Sequence, residues 1–227
     1  DLHQAVPSFP TRRSSDLALT GTDLYRDIHE DASARRSLDL ADRLVLLNRH
    51  APLDLPASWR PKAVVCLQSC RAWRAREAAP RRFLRVLSVG HLRAEKAPDR
   101  LFAAVRALGR TDIRWDHVGR ALEPGWADQA RALASEVPAY RWLGGLPHGL
   151  TRRRIRDAQV LVHPSRMEGG AQVIIEALRS GTAVIATRVP GNVGLLGDDH
   201  PGLVEPDDTA ALVALLGGSS VQIAGPA

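Results

Sequence analysis

Cysteine, lysine and long apolar runs are all scarce in this chain of 227 residues. Cys66 and Cys70 are the only cysteines. Two thiols cannot build the disulfide framework of a small secreted domain, and without a matching histidine pair they make no zinc site. They read as free thiols in a reducing cytoplasm. No apolar run approaches the ~18 residues of a membrane span. The opening residues Asp1-Leu2-His3-Gln4 carry no basic segment followed by an apolar one, so no export signal is expected and the expected location is cytoplasmic, away from membranes. No Gly-x-Gly-x-x-Gly follows a strand-like run, which weakens a nicotinamide-binding reading. No Gly-Lys-Ser/Thr occurs, which excludes a P-loop nucleotidase.

Lys62 and Lys96 are the only lysines, and the other 29 basic residues are arginine. The formal charge is +6, but the arginines spread along the whole chain instead of clustering, as they would on a nucleic-acid surface. We read them as a coding bias and expect no nucleic-acid partner. The run Arg152-Arg153-Arg154-Ile155-Arg156 reads as the solvated face of a helix. With 44% hydrophobic and 25% charged residues, the composition is that of a globular protein with room for one large domain or two small ones.

Strand-like and helix-like runs alternate. Leu44–Leu47, Ala63–Leu67, Val86–Val89, Ile113–Val118, Val160–Val162 and Ala183–Ala186 are short and apolar, and Asp99–Leu108 and Trp126–Ser135 have helical periodicity between them. That pattern predicts an α/β fold with parallel sheets covered on both faces, of the doubly wound, Rossmann-like kind. Residues 71–82 are rich in Arg and Ala, contain Pro80 and lack periodicity, so a domain boundary is expected there. The expected organisation is a partial α/β domain at 18–80, a complete doubly wound domain at 81–216 and an irregular tail at 217–227. Residues 8–17, SFPTRRSSDL, resemble a translated sequencing adapter, and residues 1–17 are expected to stand outside the fold.

The chemistry concentrates between His163 and Thr187. A strand ends at Val162, a loop carries Glu168, Gly169 and Gly170, and a helix is expected from about Ala171 to Ser180, closed by Gly181 in the left-handed conformation. Glu176 lies inside that helix, roughly 8 Å further along its axis. The free N–H groups of a helix start favour an anion, and the two glycines would let a ligand approach the backbone. Two acceptors with a phosphate seat between them match the order of a nucleotide-sugar: sugar hydroxyls, diphosphate, ribose hydroxyls. The alternative is a capped core helix with two solvated glutamates. His148 and His163 either face this cleft or are structural.

These residues resemble a known family. PSRMEGG…IIEAL…GTAVIA is similar to the Glu-x7-Glu signature of the GT-B glycosyltransferases of the family-4 type. The resemblance implies that Glu168 contacts the donor sugar and Glu176 the nucleotide ribose. The family's strand ending in Gly-Arg-Leu, followed by Lys, reads here Gly90-His91-Leu92-Arg93-Ala94-Glu95-Lys96. Lys96 matches the family's diphosphate-binding lysine. His91 replaces the usual arginine, so either Arg93 supplies the missing charge or His91 donates a hydrogen bond instead. No Asp-x-Asp occurs, so no metal is expected and no cofactor beyond the UDP-sugar substrate. The segments Thr20–Ile28, Pro164–Ala171 and Pro190–Gly197 resemble one branch, the selenosugar synthases of selenoneine biosynthesis. This implies a UDP-sugar and selenophosphate as substrates. Asp23, Arg26 and Arg166 are then candidates for the acceptor side, although Asp23 could equally cap a helix. Asn192 in the Pro190-Gly191-Asn192 turn is a candidate at the donor site. Such an active site lies between two domains, so the chain by itself is expected to lack transferase activity.

Overall fold

The alternation of short apolar strands and amphipathic helices produces two parallel sheets. The computed structural model describes residues 15–73 and 82–217. The first sheet has three strands, β1 (Asp16–Leu19), β2 (Arg43–Leu46) and β3 (Ala63–Val65), in that spatial order and all parallel. A π-helical turn at Asp23–Asp27 runs into α1 (Ile28–Glu30), and α2 (Ala32–Leu40) and α3 (Ala51–Asp54) complete the crossovers. Leu19, Leu24, Ile28, Leu38, Leu44, Leu46 and Leu55 form the core of this unit. Asp31 starts α2 by accepting from the Ser33 N–H at 2.7 Å. Lys62 ends it, its ammonium donating to the carbonyls of Leu38, Asp39 and Ala41, where the helix has orphan acceptors. One of the two lysines is thereby structural.

The second sheet has six parallel strands: β4 (Leu84–Val89), β5 (Ile113–Val118), β6 (Tyr140–Trp142), β7 (Val160–His163), β8 (Ala183–Thr187) and β9 (Leu203–Val204). The helices are α4 (Pro98–Leu108), α5 (Trp126–Glu136), α6 (His148–Asp157), α7 (Gln172–Leu178), α8 (Pro190–Leu196) and α9 (Thr209–Gly217). The spatial order is β6-β5-β4-β7-β8-β9. The chain builds outward from β4 to β6, then returns to place β7 against the other side of β4. The switch point therefore lies at the carboxyl ends of β4 and β7, where doubly wound sheets open a crevice.

Successive strand residues face opposite layers. Val86, Trp115, Val160 and Ile185 pack under α4, α5 and α9 with Leu101, Phe102 and Tyr140, while Leu87, Val118, Leu161 and Val184 pack under α6 and α7 with Ile155 and Ile174. Burying an aromatic side chain such as Trp115 or Tyr140 contributes roughly 4–6 kcal/mol by area. A half-exposed ion pair such as Arg106–Glu136 contributes at most about 1 kcal/mol. The apolar layers, not the abundant arginines, hold the domain.

Three strands were not anticipated. β6 is only Tyr-Arg-Trp and β9 only Leu-Val, too short to show as apolar runs. β1 begins at Asp16, so Asp16 and Leu17, expected outside the fold, pair with Arg43 and Leu44. At the other end Gly217 closes α9 instead of opening a tail. Residues 1–14, 74–81 and 218–227 lie outside the described residues, and with them most of the adapter-like string, the boundary segment and the tail. Residues just before 74 already lie on the second unit: the Trp73 N–H donates to Arg179 O at 3.3 Å and Cys70 Sγ reaches Ile175 O at 3.8 Å.

Candidate active site

A cleft of about 530 Å³ opens at the switch point, lined among others by Gly90, His91, Lys96, Arg120, His163 and Glu168. Val89, at the end of β4, leads into Gly90 and His91. A 3-10 turn at Ala94–Lys96 then brings Lys96 back over the sheet. β7 ends at His163, and the following loop carries Glu168.

Glu168 is 6% exposed. Its Oε1 accepts from the Lys96 ammonium at 2.5 Å and from His163 Nε2–H at 2.7 Å. Burial would raise the carboxyl pKa, but His163 and Lys96 outweigh it and hold Glu168 well below the usual carboxylate range. The carboxylate is therefore ionised and keeps a cation at the mouth of β4. Ser165 Oγ, 3.2 Å from His163 Nε2, adds a second contact to that imidazole. His163 thus belongs to the site, and of the two readings of it the cleft-facing one holds.

His91 Nδ1 accepts from the Arg120 N–H at 3.1 Å. Burial and the charges of Arg120, Arg93 and Lys96 push its pKa below the ordinary imidazole value. Its neutral form with Nδ1 as acceptor carries the proton on Nε2, which leaves one donor. Arg120 itself lines the cleft. Sequence reasoning missed it, because it follows β5 and no motif marks it; its signal is its position at the carboxyl end of a strand next to the switch point. Arg93 does not line the cleft: its Nε lies 3.8 Å from Glu95. His91 and Arg120, and not Arg93, thus face the cleft beside Lys96.

α7 runs over Gln172–Leu178, shorter at both ends than the expected Ala171–Ser180, and Gly181 follows it with φ +70°. Glu176 lies one turn beyond the cleft-lining Gln172 and Val173 and is buried at 4% exposure. It is therefore not a solvated glutamate. Its Oε1 accepts from His148 Nε2–H at 2.7 Å and faces Arg152 Nε at 4.0 Å. Each glutamate of the pair thus has its own histidine, His163 on Glu168 and His148 on Glu176. Arg152 corrects the reading of its run as a solvated face. It is 9% exposed, donates to Arg71 O at 2.5 Å and stacks over Trp73 at 4.9 Å.

The two glycines also meet a demand that the sequence did not show. A Cβ on Gly169 would stand 2.5 Å from Gly21 N, and one on Gly170 would stand 2.6 Å from Leu47 Cβ. One face of each glycine therefore meets the first unit, while Gly170 also lines the cleft. Asn48, fully buried, fastens the same seam by donating Nδ2–H to Gly169 O at 2.7 Å.

The remaining candidates support this frame from behind. Asp23 accepts from the Thr20 N–H at 2.7 Å and the Thr20 hydroxyl at 2.6 Å, the back-reaching half of a capping box. It holds the loop that presents Gly21 to Gly169. Arg26 donates to Glu95 at 2.9 Å, and Arg166 grips Asp99 with both terminal nitrogens and Ala94 O with one. Both arginines are thus held by carboxylates around the Lys96 turn. Asn192 sits in the first turn of α8, not in an open turn. It is fully buried and donates to Thr187 O at 2.9 Å. His117, also unanticipated, holds Gly90 O from β5 at 3.1 Å.

Two parallel α/β units with a cleft at the switch point of the second define a GT-B fold. The chain belongs to the family of glycosyl transferases group 1, whose model matches residues 70–216. A glycogen synthase of Bordetella parapertussis is 32% identical over 130 residues, covering 56% of this chain and 25% of that protein. The chain thus spans about a quarter of the curated relatives it matches. Among solved structures, Anabaena HepE in complex with UDP and glucose superposes with a TM-score of 0.75 at 16% identity, covering 94% of this chain and 64% of that one. The pneumococcal O-GlcNAc transferase GtfA in complex with UDP and GlcNAc gives 0.72 at 16% identity, covering 89% and 44%. Among the described residues no helix is long and apolar enough to cross a membrane.

Proposed function

We propose that this chain carries the donor site of a glycosyltransferase that moves a sugar from a UDP-sugar. One observation carries the reading: at the switch point an ionised, buried Glu168 and the Lys96 ammonium share a cleft with His91 and Arg120. The cations and the His91 donor suit a diphosphate, on which charge develops as the glycosidic bond breaks. Glu168, an acceptor-only group when ionised, suits sugar hydroxyls. Glu176, one turn beyond the cleft, suits the ribose. The UDP complexes of the two structural neighbours favour UDP as the nucleotide. No metal is assigned a part, since the side chains named supply the charge.

The narrower reading, transfer to selenophosphate, rests on the resemblance of the Thr20–Ile28, Pro164–Ala171 and Pro190–Gly197 segments. The resemblance implies a histidine in the loop of Thr20–Asp23 for many hydroxyl-transferring relatives; this chain has Thr20 in that region, which favours the reading, because an anionic nucleophile needs no base. Arg26 and Arg166 do not: each is neutralised by a carboxylate. The glycogen synthase relatives favour a hydroxyl acceptor. Competition between selenophosphate and a sugar acceptor for the same donor separates the two.

UDP binding by calorimetry tests the donor site. Wild type is expected to bind UDP, and Glu176→Ala to bind it roughly 1.5–3 kcal/mol more weakly, the worth of a hydrogen bond to a charged acceptor. Folded wild type that ignores UDP would overturn the reading.

A further inference from the structure

Glu176 is a buried carboxylate whose surroundings are incomplete without a ligand. Arg152 balances its charge, but Arg152 Nε stands 4.0 Å away and is buried without a hydrogen-bond partner. Trp73 and Arg71 O hold the guanidinium from the other side. The hydrogen bond that Glu176 does accept comes from His148, whose side chain is 74% exposed. A buried carboxylate without a donor is costly, and here the donor is a surface imidazole on the first residue of α6, with open solvent on its other side.

On the reading that Glu176 receives the nucleotide ribose, we infer that His148 is a displaceable stand-in for a ribose hydroxyl. In the empty site its Nε2–H satisfies Oε1. When a nucleotide binds, the ribose hydroxyl takes over that oxygen and the imidazole turns out to solvent. Arg152, fixed by its ring and carbonyl contacts, stays beside the carboxylate throughout. His148 then competes only with ligands that bring a hydroxyl to Glu176, so it tunes the preference for ribose without adding to nucleotide affinity.

The test compares UDP with 2′,3′-dideoxyuridine diphosphate on wild type, His148→Ala and His148→Gln, by calorimetry on the whole chain. The exposed position of His148 keeps both variants foldable. Removing the competitor in His148→Ala is expected to tighten UDP roughly three- to tenfold, the worth of one hydrogen bond, and to leave the dideoxy nucleotide unchanged. His148→Gln, which restores a donor, is expected to return UDP towards wild type. Equal changes for both nucleotides in His148→Ala, or weaker UDP binding, would overturn the inference and leave the donor site standing. Equal binding of the two nucleotides by both wild type and His148→Ala would instead remove the ribose role of Glu176, and the inference with it.

Discussion

His117 ties the stability of the domain to the loop that carries Lys96, and its protonation gives that link a measurable size. The side chain is 3% exposed on β5. Gly90 O can only accept, so Nε2 carries the proton it receives at 3.1 Å, and Nδ1 accepts from the Tyr140 hydroxyl at 3.0 Å. Burial pushes the pKa down from 6.5 to about 4, and the Gly90 hydrogen bond opposes this only in part. As pH falls, the unfolded chain takes up its proton first. Stability present above pH 6.5 is therefore lost as pH falls towards 4. At about pH 4.5 the expected loss from this one group is about 2.5 kcal/mol, since each pKa unit is worth about 1.4. Urea unfolding at about pH 7.5 and about pH 4.5, followed by tryptophan fluorescence, measures it. His117→Gln serves as the reference: it keeps a donor and an acceptor but does not titrate, and every other group cancels in the difference. Wild type should lose about 2.5 kcal/mol more than His117→Gln between the two pH values. Equal losses would refute a neutral, buried His117 bonded to Gly90.

Two further outcomes check the site and the seam. Glu168→Gln frees Lys96 from its counter-charge, so UDP should bind at least as tightly as to wild type while the domain loses roughly 1–3 kcal/mol of stability; weaker binding by a folded variant would count against Lys96 as the diphosphate cation. Gly169→Ala drives a Cβ to 2.5 Å from the Gly21 backbone and should cost about 1–3 kcal/mol. Gly149→Ala, inside α6 with nothing within 4 Å, should gain about 0.5–1 kcal/mol. Thermal unfolding orders the two, and the reverse order would sink the account of the seam.

The sequence made the parallel architecture legible because its strands are buried on both faces and so read as unbroken apolar runs. β5 emerges with the expected bounds, Ile113–Val118, and α4 and α5 differ from expectation by one residue. β6 and β9 stayed hidden because an edge position needs only two or three paired residues, which no periodicity reveals. At the site, Lys96 and Glu168 were named from the resemblance to the family's motifs, and the structure brings them together. Their histidines were not assignable. His148 and His163 reach Glu176 and Glu168 across 28 and five residues, and only the packing of α6 on α7 and the fold of the loop after β7 turn such separations into contacts. Arg120 and His117 were invisible for the same reason, since their partners lie on the neighbouring strand.

The glycines show a second demand on the same residues that local reasoning could not see. Gly169 and Gly170 follow the key glutamate, and a bare backbone there suggested room for a phosphate. Gly170 does line the cleft, and in the Cβ direction both glycines also meet Gly21 and Leu47 of the first unit. A second glycine face repeats the pattern: a Cβ on Gly194 would stand 2.3 Å from Asn48 Oδ1, and the amide of that same Asn48 holds Gly169 O. A seam packed this closely tolerates little sliding, because bare backbone and the short, buried side chain of Asn48 leave little slack to absorb it. The loop that carries Glu168 is thereby set by three constraints at once: β7 before it, α7 after it and the first unit against its flank. The first unit acts on the cleft without lining it. It fixes the backbone of the residue next to Glu168, and through Arg26 and Glu95 it also braces the turn that carries Lys96. Both members of the central ion pair depend on the same partner surface.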